Sequence, residues 1–487
     1  MDDVGTVPLR SSRGVFVLVA TVLASTIGFL DASVVNVAIP AIGKDLNAAV
    51  ADLQWTVTSY LVAVTALLLV AGALSDRYGR RRILVIGLSI TLVASVFCAF
   101  APDASLLVVG RIAQGIGGAL TVPSSLALLN GTLRSQDRPR GIGLWAALST
   151  VGYTVGPYAG GWLVDNGSWR WLFLLNVPLV VLALLALIRV REQKNPDATG
   201  GIDYLGAVLI AIGLGAVVYA LTDGSANGWA RPAIILAGIV GVGCLVALVP
   251  VELRVANPVL NLRLFRSKQF SAINASTLLF YAAISGVGYL VLLRLELQLD
   301  YTPTLAGAAL IPSSVVFLIV APISGNLVAK FGPRWLMAAG ILVAGLGFLW
   351  LSFLGPTSSY WLGVLPGNLL QGLGFGLAVT PLTSAVLAAV RSADLGEASA
   401  INNAVSRLGG AVAIAVIPAL AGPGVHTLAE TIDAAYQPGM VITAVLCLAA
   451  AAIAAVFVSN APAAAPVTAA PMPHACLPEA VDDRVSA

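Results

Sequence analysis

The chain has 487 residues, of which 58% are hydrophobic and only 10% charged, with a formal net charge of +3. Its mean hydropathy is +0.93. A soluble domain is about half apolar and about a quarter charged, so a water-soluble fold is excluded and an all-α integral membrane protein is expected.

A spanning helix needs about 20 apolar residues, because the hydrocarbon core is about 30 Å thick. Stretches of that length predict fourteen helices, at 15–39, 55–75, 83–101, 105–130, 141–164, 170–189, 205–222, 231–251, 270–295, 303–329, 335–355, 360–388, 397–421 and 438–459. The opening MDDVGTVPLRSSRG runs directly into an apolar stretch too long for a signal-peptide core and without a clear cleavage site. The first helix is therefore expected to stay in the protein. With the N-terminus inside, 20 of the 26 Lys and Arg residues fall on the inner side, 3 on the outer side and 3 within helices or at their ends. That asymmetry follows the positive-inside rule. It places both termini in the cytoplasm and the chain as a multi-pass protein of the inner (plasma) membrane.

Helix 1 carries Asp31, and an acid within hydrocarbon is a functional residue by default, with a partner to be named. At ~1.5 Å per residue, Asp31 lies about 24 Å from the inner end of helix 1 and Arg111 about 9 Å from the outer end of helix 4. Across a layer about 30 Å thick these depths agree. A carboxylate near an arginine and away from water suits proton coupling, because changing access shifts its charge balance. A static ion pair locking helices 1 and 4 is the plainer alternative. Asn36, one or two turns on, faces either the cavity or a packing contact.

The loop between helices 2 and 3, GALSDRYGRRRIL (72–84), places Asp76, Arg77, Arg80, Arg81 and Arg82 within seven positions. A topological anchor accounts for the arginines, but not for Asp76 or for Gly72 and Gly79. The expectation is a cytoplasmic latch between two halves, built from Asp76 and Arg80 with Arg77 and Gly79. In helix 5, Gly152, Gly156 and Gly160 recur every four residues, accompanied by Pro157 and Gly161. Small residues at this spacing allow close helix approach, and the face is expected to seal or slide between the halves.

Arg294 and Glu296 lie near the outer end of helix 9. They read either as an interfacial pair whose side chains reach water, or as a cavity site in which Glu296 meets substrate or a proton from outside. Arg407 in helix 13 is structural or cavity-lining. His426, Glu430 and Asp433 are expected in a solvated outer loop, and the Ala/Pro-rich tail after Asn460 is expected to be disordered. Cys98, Cys244, Cys447 and Cys476 show no paired or ligand-type spacing, so no disulfide, metal or cofactor is expected.

The second half contains a worn copy of the loop, GNLVAKFGPRWLM, in which Gly325, Lys330 and Gly332 match Gly72, Arg77 and Gly79, while Ala329 replaces Asp76. GRIAQGIGGALTVP (110–123) likewise aligns with GNLLQGLGFGLAVTP (367–381), both pairs at an offset of 253–258 residues. Parallel repeats of six helices characterise one class of secondary transporter. The expected organisation is a cytoplasmic N-terminus (1–14), a six-helix half (15–189), two extra helices with flanking cytoplasmic loops (190–269), a second six-helix half (270–459) and a cytoplasmic tail (460–487).

With these motifs the chain resembles the major facilitator superfamily, in particular its fourteen-helix drug/proton antiporters of the EmrB/QacA type. The resemblance runs to about residue 459. It is carried by GALSDRYGRRRIL, LDASVVNVAIP (30–40), VVGRIAQGIGGAL (108–120), STVGYTVGPYAGG (149–161) and WRWLFLLNVP (169–178), in order on the corresponding helices. It implies proton-coupling roles for Asp31 and Arg111 and an exporter's helix 5. Arg407 matches the family pattern, whereas Arg294 and Glu296 stand where the family has uncharged residues. The implied function is proton-coupled secondary active efflux (drug/H+ antiport) of amphipathic small molecules, extending to multidrug resistance. A dedicated exporter of one metabolite or endogenous antibiotic remains the alternative. The chain lacks a phosphate-binding loop, and its two histidines fall in a loop and the tail, so neither an ATPase nor another enzyme is expected. The expected partners are a small-molecule substrate, protons and the lipid bilayer, with no nucleic acid and a functional monomer.

Overall fold

The computed structural model describes residues 6–134, 136–193, 203–255, 258, 260–355, 357–390, 395–421 and 427–460. Among them the chain is helical, with one isolated bridge, Val7 to Leu133, and no strand. The expectations for His426 and for the tail after Asn460 lie outside the described residues.

The first six helices are α1 (Ser12–Leu46), α2 (Val50–Tyr78), α3 (Arg80–Ala99), α4 (Ala104–Thr132), α5 (Arg138–Asn166) and α6 (Arg170–Leu187). Then come α7 (Tyr204–Asn227) and α8 (Pro232–Arg254). The last six are α9 (Lys268–Gln298), α10 (Pro303–Val328), α11 (Pro333–Leu351), α12 (Tyr360–Ala388), α13 (Leu395–Ala421) and α14 (Leu428–Phe457). A helix thus stands at each of the fourteen expected segments. Twelve are long and apolar enough to cross a membrane, and α2, bent by 52° after Leu68, makes a thirteenth. The 29-residue α5, diluted by glycine and two prolines, is not among them.

The breaks follow local chemistry. In α1 a 3-10 turn occupies Val35–Ala38 just before Pro40, and the helix ends on Asn47 at φ 46°, the left-handed stop that asparagine tolerates. The start of α14 corrects the sequence reading. Glu430 and Asp433 are not in a loop: Thr427 and Glu430 form a capping box, and the helix begins at Leu428. The apolar run begins only later, which is why hydropathy placed the start at 438, whereas the T-x-x-E signature marks the true start.

The repeat expected from sequence is visible in the packing. A Cβ on Gly87 or Gly117 would sit 3.0 or 2.8 Å from the other's carbonyl, and one on Gly340 or Gly374 2.8 or 2.6 Å. The α3–α4 and α11–α12 pairs therefore cross backbone to backbone at equivalent glycines.

The two sets of six meet along α2 and α13, and where α5 crosses α10. There a Cβ on Gly161 would lie 2.2 Å from the Pro303 carbonyl, and one on Gly307 2.3 Å from that of Pro157. The glycine face expected to join the halves is in fact divided. Gly152, Gly156 and Gly160 pack on Thr26, Ser33 and Val34 of α1 within the first set; only Pro157 and Gly161 reach the second. Asp165, at the end of α5, accepts a hydrogen bond from the Thr304 main-chain N–H at 2.8 Å and another from the Thr304 hydroxyl. This end is sealed. α7 lies against both α2 and α13, tied to α2 by Trp55 Nε1 donating to Asp223 at 3.0 Å. α8 packs on α7 with most of its surface exposed.

Candidate functional site

Asp31 is 2% exposed and Arg111 1%. They meet at one depth, as helix arithmetic requires, but not as an ion pair. Arg111 Nη2 donates to the main-chain carbonyl of Asp31 at 3.4 Å. The Asp31 carboxylate instead accepts from Asn176 Nδ2 at 2.8 Å. The static charge pair raised by the sequence is thus replaced by an indirect link.

That link closes into a ring. Asn176 Nδ2 also donates to Ser95 Oγ at 3.2 Å, and Gln114 Nε2 donates to the same oxygen at 2.8 Å. Gln114 Oε1 accepts from Arg111 Nη1 at 2.9 Å, and Arg111 returns to the Asp31 carbonyl. All five residues are buried. The remaining arginine donor, Nε, reaches the Thr56 carbonyl at 2.9 Å, and the guanidinium lies 4.5 Å from the centre of the Tyr60 ring. The Tyr60 hydroxyl donates to the Gly28 carbonyl at 3.0 Å, so the ring that faces the arginine is itself fixed. An unpaired charge here would cost several kcal/mol; an arginine survives because its planar fork matches three fixed acceptors and an aromatic face. The elements serve this directly. α1 brings Asp31, α2 Thr56 and Tyr60, α3 Ser95, α4 Arg111 and Gln114, and α6 Asn176.

In the second set the position matching Arg111 is uncharged. The repeat aligns Asn368 with Arg111, and Asn368 Nδ2 donates to the Ala309 carbonyl at 2.8 Å. The five members of the ring all come from the first six helices.

A second group of charges lies at the sealed end. Arg294 and Glu296, two residues apart on α9, point to different neighbours and are not an interfacial pair. Arg294 is 6% exposed, ion-pairs with Asp433 of α14 at 2.5 Å, donates to the Leu354 carbonyl at 3.3 Å and lies 5.0 Å from the Tyr436 ring centre. It braces the second set from within. Glu296 is half-buried, its Oε1 has no hydrogen-bond partner, and Asp165 of α5 acts on it electrostatically. Asn36 Oδ1 is likewise buried without a partner. Arg407 is half-buried on α13 and interacts electrostatically with Tyr60 across the seam between the sets.

A sequence model of the Major Facilitator Superfamily matches residues 21–251 and 273–477. The chain belongs to the Major Facilitator Superfamily. Among curated relatives, it is 35% identical over 402 residues to the multidrug resistance protein Stp of Mycobacterium tuberculosis (strain CDC 1551 / Oshkosh), covering 82% of this chain and 74% of that protein. It is 33% identical to the cephamycin export protein CmcT of Amycolatopsis lactamdurans over 91% of this chain and 93% of that one. It is 32% identical to the puromycin resistance protein pur8 of Streptomyces alboniger over 85% and 84%. The fold matches the inward-open xylose transporter XylE from E. coli with a TM-score of 0.64, at 18% identity over 92% of this chain and 97% of that one.

Two motifs of this superfamily member gain a physical account. The expected loop shrinks to Gly79, and Asp76 at the end of α2 pairs with Arg80 at the start of α3 at 2.9 Å. Arg80 continues to the Ala127 carbonyl at 3.1 Å, and its main-chain N–H to the Gln193 carbonyl at 2.8 Å. In this conformer the pair therefore braces the first six helices internally, and the expected bridge between halves is not made by it. Gly79, at φ +114°, brings the chain around so that Glu192 accepts from the main-chain N–H groups of Arg81 and Arg82 at 2.9 and 3.0 Å. A carboxylate there meets the positive end of α3. Gly332 repeats the turn at φ +73°, and Asn460 Oδ1 accepts from the Arg334 N–H at 3.0 Å. In WRWLFLLNVP, Trp169 Nε1 donates to Asp45 at 3.0 Å and Arg170 ion-pairs with the same acid, while Asn176 reaches Asp31. Glu192 and Asn176 were passed over in sequence because one is a lone acid among arginines and the other an uncharged residue in an apolar run.

Proposed function

We propose that this chain is a proton-coupled exporter of amphipathic small molecules. The observation that carries the reading is the buried acid Asp31 held in a polar ring with Arg111 where hydrocarbon would otherwise exclude both. Relatives named for drug resistance and antibiotic export support the outward direction. Proton binding at Asp31 during one half of the cycle and release during the other would exchange protons for substrate. Glu296, half-buried at the sealed end, is the second acid in the proton path. Arg294, Arg407 and Asn36 line or brace the cavity, and the Asp76, Arg77, Gly79 and Arg80 loop works the opposite gate. Pro157 and Gly161 form the seam that opens, with Gly152, Gly156 and Gly160 holding α5 to α1.

In this reading the sealed α5–α10 end faces outward and all fourteen helices span the inner (plasma) membrane. Both termini are cytoplasmic and the working unit is a monomer. The sets 15–189 and 270–459 rock about the site, with 190–269 between them. No nucleotide or other chemical step is involved. A dedicated exporter of one compound is the second reading, favoured by the similarity to CmcT, whose name specifies cephamycin.

The test is uptake of a fluorescent lipophilic cation into inverted vesicles under an imposed proton gradient. Wild-type vesicles are expected to accumulate the dye only with the gradient, and Asp31→Asn to fall to the level seen without it. Equal gradient-driven uptake by both would remove Asp31 from the coupling path.

A further inference from the structure

Asn176 is fully buried, and its two polar atoms are unequally used. Nδ2 donates to the Asp31 carboxylate and to Ser95 Oγ, whereas Oδ1 has no hydrogen-bond partner. A buried amide oxygen left unpaired is unfavourable and calls for an explanation.

The explanation lies in what Asp31 becomes when it takes up a proton. An ionised carboxylate only accepts hydrogen bonds; a protonated one carries an O–H that must donate. The ring offers the ionised form an N–H. For the protonated form, the acceptor at hand is the unused oxygen of the same amide, brought round by a half-turn of its terminal torsion. Ser95 can follow, because a hydroxyl both donates and accepts. It turns its O–H toward the amide oxygen while still accepting from Gln114 Nε2. One proton enters from water and stays on Asp31, and each residue of the ring keeps at least one hydrogen bond, while the amide N–H groups move to the side where the oxygen now has no partner.

We infer that Asn176 is the positioning residue for the Asp31 proton: its N–H holds the ionised acid, its oxygen holds the protonated acid, and Ser95 and Gln114 carry the difference to Arg111. This rests on the reading of Asp31 as the proton site. Serine, glutamine and arginine lie in sequence along the ring, so a change at the carboxyl reaches the guanidinium without a direct ion pair. Leucine at 176 would fill the same volume but serve neither form.

The experiment is a pH titration of the Asp31 carboxyl band by difference infrared spectroscopy, on purified protein in lipid, with the band assigned by its loss in Asp31→Asn. The bond to the charged form is the stronger one, so Asn176→Leu is expected to move the titration midpoint upward by about one pH unit. Asn176→Gln, which keeps both groups, is expected to stay near wild type. An unchanged midpoint in Asn176→Leu overturns the inference. Should that variant not fold, wild-type protein decides. The amide C=O band of Asn176, recognised by its displacement in Asn176→Gln, is expected to shift as Asp31 is protonated, and a band that ignores that step overturns the inference. Failure of the proposed function reads differently. Asp31 would then titrate with its Asn176 dependence intact while dye uptake ignored Asp31→Asn.

Discussion

Arg111 shows what a single residue can and cannot announce. Its depth, and that of Asp31, follows from counting along two helices, because a charge in an apolar run is conspicuous. Its acceptors do not, since Thr56 and Asp31 supply main-chain carbonyls and Gln114 a neutral amide, which leave no mark in composition. Asn176 was out of reach for the same reason, 145 residues from the acid it serves. Charge alone is therefore a poor substitute at this position. Arg111→Lys keeps the positive charge but loses the planar fork, and is expected to cost about 2 kcal/mol of stability through roughly two lost buried hydrogen bonds. Thermal unfolding in detergent would measure it, and a melting curve matching wild type would mean that charge is all the site requires. Arg294 teaches the converse. Its charge was seen at once, yet its partner Asp433 was assigned to a loop, because the first turns of α14 are too polar to register as a span.

At the scale of elements, the glycine repeat of α5 was legible as close packing, but its direction was not. Spacing of four marks one face, and that face meets α1; the seam to α10 uses the neighbouring position, Gly161, with Pro157. The two can be separated by experiment. Gly161→Ala would set a Cβ 2.2 Å from the Pro303 carbonyl, whereas a Cβ on Gly143 meets nothing within 4 Å. Both substitutions favour helix, so Gly143→Ala is expected to transport normally while Gly161→Ala loses dye uptake and sheds the α5–α10 contact. Equal uptake by the two would show that the close crossing is dispensable. The turns of the loop and its worn copy were readable as matched glycines. That each is held by a residue beyond the sixth helix of its set, Glu192 or Asn460, emerges only when the helices are assembled.

For the whole molecule, the class, the helix positions and the twofold repeat followed from hydropathy and two aligned motifs. The conformation did not, because one sequence serves every state of a carrier. The state seen here is closed at the α5–α10 end by Asp165 and Thr304. Replacing both with cysteine sets two thiols on either side of the contact that the Asp165 carboxylate now makes with Thr304. Oxidation of the double variant is expected to stop dye uptake and a reductant to restore it, with each single variant unaffected. Full uptake by a completely crosslinked sample would mean that this end never parts.

α7 touches a helix from each set and is fastened to one of them, through Trp55 and Asp223 on the α2 side. A helix that lies against both sets bears on any motion of one relative to the other. Were the sets to rock as proposed, the travel would have to be taken up at a face of α7. Friction there, set by the side chains of that face and the lipids around it, would limit how fast the carrier turns over.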